Sequence, residues 1–282
     1  MAKKKVATKK NTFLTNIFRR SLFYSVCLFA LLQFMLVLLQ VRSYSSYWML
    51  LVMGGFVVVL ELLYSRLNEY MRPFSKQVKH WRKRIWNESF LHHLLLPGLF
   101  YISGSLFLYF NRVRALSQVA VLLVTVGFLI LFYNISCTYR KMYSISKNTR
   151  YVFDFINIIV FYFFSDILIN SVFYRGLSEW VIYLGTGVVS LALVTMMIVM
   201  FNQFSYKLLG IAGICSIIIS LLSFLVMQAP VLNIATLSLL IAVAFYLVDV
   251  YWHHKLEGTY DSDTMSQYVI FAIMVVILLL YI

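Results

Sequence analysis

The sequence predicts an all-α fold: a polytopic transmembrane helical bundle of about nine spans with its N-terminus in the cytoplasm. Three observations predict it. Hydrophobic residues make up 62% of the 282 residues and charged residues only 12%, about half the charged share of a soluble domain. The apolar residues run in continuous stretches of about 20, the length a helix needs to cross a bilayer. The basic residues, which give a net charge of +14, collect in alternate connecting segments. A soluble domain of this length buries only about 75% of the surface its chain exposes, too little to hide a mean hydropathy of +0.86. A soluble globular protein, a disordered chain and a disulfide scaffold are excluded on the same grounds.

The elements follow in order. Residues 1–20 form a basic cytoplasmic tail, and 21–282 a single transmembrane domain. The expected spans are 21–41, 48–64, 91–110, 115–135, 152–173, 179–201, 208–227, 231–250 and 265–282. Their runs are continuous with scattered Gly and Ser, which suits helices; barrel strands would alternate with period two. Arg19 and Arg20 resemble the start of a twin-arginine signal. The apolar stretch behind them is longer than a signal core and lacks a cleavage site, so they are expected to anchor an uncleaved first span.

Lys and Arg set the orientation. Of the 24 in the chain, 20 fall on the tail's side of the predicted spans and 4 on the other. By the positive-inside rule the tail is cytoplasmic, and nine spans place the C-terminus outside a cell membrane. Trp48 and Trp180 fall at predicted outer edges and Trp252 at an inner edge, as interfacial Trp residues should. Cys27, Cys137 and Cys215 fall in the inner half or the cytoplasm, so no structural disulfide is expected.

The cytoplasmic segment 65–90 carries its own pattern. After Pro73, Phe74, Val78, Trp81 and Ile85 recur on one helical face. Lys76, Lys79 and Lys83 fall opposite, and Arg82 and Arg84 flank the stripe. A basic amphipathic helix over about 74–90 is expected to lie on the membrane surface. It would serve as an elbow or meet anionic lipid or an acidic partner. Nucleic acid is not favoured, because no motif accompanies the charge.

Ionisable residues within spans are functional candidates, because burying them in lipid is costly. Asp154 and Asn157 open the fifth span. Asp166 lies deeper, with Asn170 one turn further on the same face. Glu61, His92, His93, Asp154, Asp249, His253 and His254 all fall near the predicted cytoplasmic boundary. Imidazole and carboxylate together suit zinc, iron or proton relay. Groups at that boundary also reach water by snorkelling, which alone would gather them there. No resident cofactor is expected; zinc or iron at this cytoplasmic face is the alternative. Ala212, Ser216 and Ser220, and Ser238 and Ala242, repeat at four-residue spacing and predict close helix contacts inside the bundle, with a homo-oligomer face as the alternative.

No H-E-x-x-H, P-loop, G-x-S-x-G or dinucleotide-binding pattern occurs. The leading expectation is therefore a non-enzymatic accessory or scaffold protein that contacts lipid or partner membrane proteins. The alternatives are a transporter of a small solute or lipid using Asp166 and Asn170, and a membrane-embedded enzyme using the cytoplasmic-face His and carboxylates.

Overall fold

The computed structural model describes residues 2–40, 52–59, 95–111, 113–139, 148–200, 205–228 and 233–281. Among them are nine helices and no strand: α1 (Ala2–Gln40), α2 (52–59), α3 (Leu96–Phe110), α4 (Arg114–Tyr139), α5 (Asn148–Arg175), α6 (Trp180–Met200), α7 (Tyr206–Met227), α8 (Ile234–Glu257) and α9 (Ser262–Tyr281). Seven are long and apolar enough to cross a membrane, and α3 is a shorter apolar helix of 15 residues. The chain is an integral-membrane type of helical bundle. Helix α1 begins at Ala2 and runs without a break through the basic segment into the first apolar stretch.

The chain forms two units. In the first, α1 and α4 lie side by side. Gln33 donates to Gln118 at 2.7 Å, satisfying two amides that lipid could not. Tyr24 meets Phe132 edge-on, with ring centres 5.7 Å apart. Phe100 of α3 stacks on Phe128 at 5.3 Å. That approach depends on Gly127, where a Cβ would stand 2.6 Å from the Phe100 ring.

The second unit holds Phe110, Asn111 and the chain from Asp154 onward. Small residues join α6 to α7, as their spacing predicts. Ser220 donates to the Tyr183 carbonyl at 2.6 Å, Ser223 to the Thr186 hydroxyl at 3.1 Å, and Gly187 faces Ser220. Ala212 and Ser216 are buried on the same helix. Local signals end the helices. Gly176 follows α5 and Gly258 follows α8, both at positive φ, where glycine carries no Cβ penalty. Asn233 caps α8 by accepting from the Thr236 N–H at 2.9 Å.

The end of α8 corrects one expectation. Residues 251–257 are helical, and the connection to α9 shrinks to Gly258–Asp261. Trp252 is 0% exposed, enclosed by neighbouring side chains, whereas Trp180 is 68% exposed.

Candidate functional site

The polar residues of the second unit collect between α5 and α8. Helix α5 is the most enclosed of the seven long helices, with 61% of its most apolar stretch buried against 6% for α9. Its inner face meets α8 in antiparallel order: Asp154 with His253, Asn157 with Asp249, Phe161 with Phe245 and Asp166 with Ser238. Each step follows from helical periodicity, which brings residues three or four apart onto one face.

At one end stands Asp166, only 1% exposed. Its Oδ2 accepts from the Asn170 amide at 2.8 Å, and its Oδ1 accepts from the Ser238 hydroxyl at 3.1 Å. The Asn170 amide also reaches the Asp166 carbonyl, also at 2.8 Å, which fixes the pair along the helix. Asn111, just beyond α3, is a third neutral partner. Tyr162 lies one turn earlier on α5 and within electrostatic reach of the carboxylate.

At the other end, His253 is 3% exposed and has a carboxylate at each ring nitrogen. Asp154 Oδ2 is 2.5 Å from Nδ1, and Glu257 Oε2 is 3.4 Å from Nε2. Asp249, 1% exposed, sits one turn deeper on α8, beside Asn157 and within electrostatic reach of Asp154. The stacked rings of Phe161 and Phe245, with centres 4.1 Å apart, lie between the two clusters. Twelve residues of α5 separate Asp154 from Asp166, which places the clusters roughly 18 Å apart along the helix axis.

The structure thus brings together Asp166 with Asn170, and Asp154 and Asn157 with Asp249 and His253. Asp249 and His253 do not snorkel to water; they are enclosed. His254 leaves the cluster: its Nδ1 lies 3.0 Å from the Thr259 hydroxyl and its ring rests on Tyr268. Lys255 also turns away, donating to the Tyr251 hydroxyl at 2.9 Å and lying over the Trp252 ring. Glu61, His92, His93 and the surface-helix residues Lys76, Lys79, Trp81, Arg82, Lys83 and Arg84 lie outside the described residues. Among the described residues, no three His, Cys, Asp or Glu side chains are grouped to hold a metal ion.

Sequence reasoning missed Glu257, Ser238 as a partner of Asp166, and Asn111. Glu257 had a readable signal. Asp249, His253 and Glu257 recur at four-residue spacing and share one helical face once the span is carried past Val250. The sequence marks Ser238 only as a small contact residue, and Asn111 falls between the expected spans 91–110 and 115–135.

Comparison with protein-family models, curated proteins and solved structures finds no match.

Proposed function

We propose that this protein is a membrane transporter that couples movement of a small solute to a proton or cation taken up at Asp166. The observation that carries the reading is the setting of that carboxylate. It is buried within an apolar span, and its partners Asn170, Ser238 and Asn111 are all neutral. A carboxylate held in such surroundings is expensive to keep charged. It is accommodated when its charge is neutralised by a bound proton or cation, and that exchange is what a coupled transporter uses. The Asp154–Asp249–His253–Glu257 cluster on the same helix pair supports the reading, because it adds further proton-binding groups on the same line.

In this reading the N-terminus is cytoplasmic, from the distribution of Lys and Arg, and the protein sits in the cell membrane. The segment 74–90 binds anionic lipid at the inner surface through its basic residues and Trp81. The test is ion flux into proteoliposomes containing a pH-sensitive dye, under an imposed membrane potential. Wild-type protein should acidify or alkalinise the lumen, and Asp166→Asn, which keeps the shape and removes the titratable group, should abolish the flux. Equal flux in the two proteins overturns the reading.

A further inference from the structure

We infer that Asp154, His253 and Glu257 form a proton relay that connects the Glu257 end of α8 with Asp249, so that the coupling ion is a proton. The inference rests on the transport reading and narrows it. Its basis is a count of hydrogens. Both ring nitrogens of His253 face carboxylates, Nδ1 toward Asp154 and Nε2 toward Glu257. A neutral imidazole has one N–H, which can serve only one of them. The other nitrogen would then set its lone pair against a carboxylate oxygen. One proton more in the triad removes that clash, as an imidazolium between two carboxylates or as a neutral imidazole beside a carboxylic acid.

Those two forms interconvert by proton transfer. In the inward step, Glu257 as the acid gives its proton to Nε2, and the Nδ1 proton passes to the Asp154 carboxylate. The ring is left as the other neutral tautomer, Glu257 is left ionised, and one proton has moved across the imidazole. A turn of the ring leaves the proton on Nε2, so the relay resets when Asp154 has passed its proton on and proton exchange has removed the Nε2 hydrogen and restored one at Nδ1. Asp249 then lies within electrostatic reach of the newly protonated Asp154, with Asn157 beside it.

The placement suits conduction from the end of the helix. Glu257 is the last residue of α8, immediately before Gly258. Among the described residues, the carboxylates that meet the imidazole are Asp154 from α5 and Glu257 from α8 itself. Asp249 stands one turn deeper, with Tyr246 within its electrostatic reach. From α9, Tyr268 packs on His254 and Tyr246. Lys255 is turned onto Tyr251 and Trp252. The relay is therefore framed by carboxylates on both sides.

The test compares proton flux of wild type, Asp166→Asn, His253→Gln and His254→Gln in the same proteoliposomes. Gln at position 253 can bridge polar groups but cannot accept and release a proton. His253→Gln should lower flux by roughly a hundredfold, the lower end of what a positioned proton-transfer group contributes, while His254→Gln keeps the wild-type rate. Nitrogen NMR of histidine-labelled wild-type protein should show the His253 ring changing protonation state between roughly pH 5 and 8. Wild-type flux retained in His253→Gln, with flux lost in Asp166→Asn, overturns the relay and leaves the transport reading standing. A single neutral tautomer of His253 across the whole pH range also overturns the relay. Absence of flux in the wild type overturns the transport reading and the relay with it.

Discussion

The α1–α4 pair and the α5–α8 pair both place polar side chains between apolar helices, and they use them in opposite ways. Between α1 and α4 the polar contact is Gln33 with Gln118, two neutral amides that satisfy each other at 2.7 Å. Neither amide can change charge, and aromatic contacts such as Tyr24 with Phe132 complete the packing. Between α5 and α8 the polar groups are carboxylates and an imidazole, with the Phe161–Phe245 stack separating Asp166 from the His253 cluster. An amide pair is enough to hold two spans in register. Ionisable groups in the same setting are costly, so their presence on one helix pair marks where chemistry that moves charge is to be sought.

Substitutions can break that contrast, and the stability effects rank as follows. Phe245→Ala should cost about 3–5 kcal/mol, the usual penalty for emptying a buried aromatic site. It should also raise passive proton leak by removing one of the two rings between the clusters. Chemical unfolding in detergent and the rate at which an imposed pH gradient decays check the two effects. Gly127→Ala comes next: its Cβ would stand 2.6 Å from the Phe100 ring. Overpacking of that kind costs about 1–3 kcal/mol, and flux should be unchanged in the protein that folds. Gln33→Leu is the smallest, at about 0.6 kcal/mol, the average for hydrogen bonds between membrane helices. Pairing it with Gln118→Leu should recover part of the loss, because no buried amide is then left without its partner.

The same contrast shows how much could be read from the sequence. The long apolar runs announced their helices, since length and continuity are all a span requires. Asp166 and Asn170 were legible as a pair because four-residue spacing sets them one above the other. The His253 cluster was only half legible. The run Tyr251–Glu257 is polar enough to look like a connection, so the predicted span stopped at Val250, and Glu257 fell out of consideration. What carries the helix onward is tertiary: Trp252 and Leu256 are buried, and Gly258 supplies the left-handed turn that ends it. Which carboxylate meets which imidazole depends on the antiparallel pairing of α5 with α8, and no periodicity within one helix encodes that.

The central claim is that the α5–α8 polar groups carry charge while the α1–α4 pair only holds helices together. Proton flux of Asp166→Asn measured beside Gln33→Leu in one preparation of proteoliposomes tests it most directly. The account predicts flux lost in Asp166→Asn and kept at the wild-type rate in Gln33→Leu, with both proteins folded. Wild-type flux in Asp166→Asn, or equal loss in the two, would contradict it.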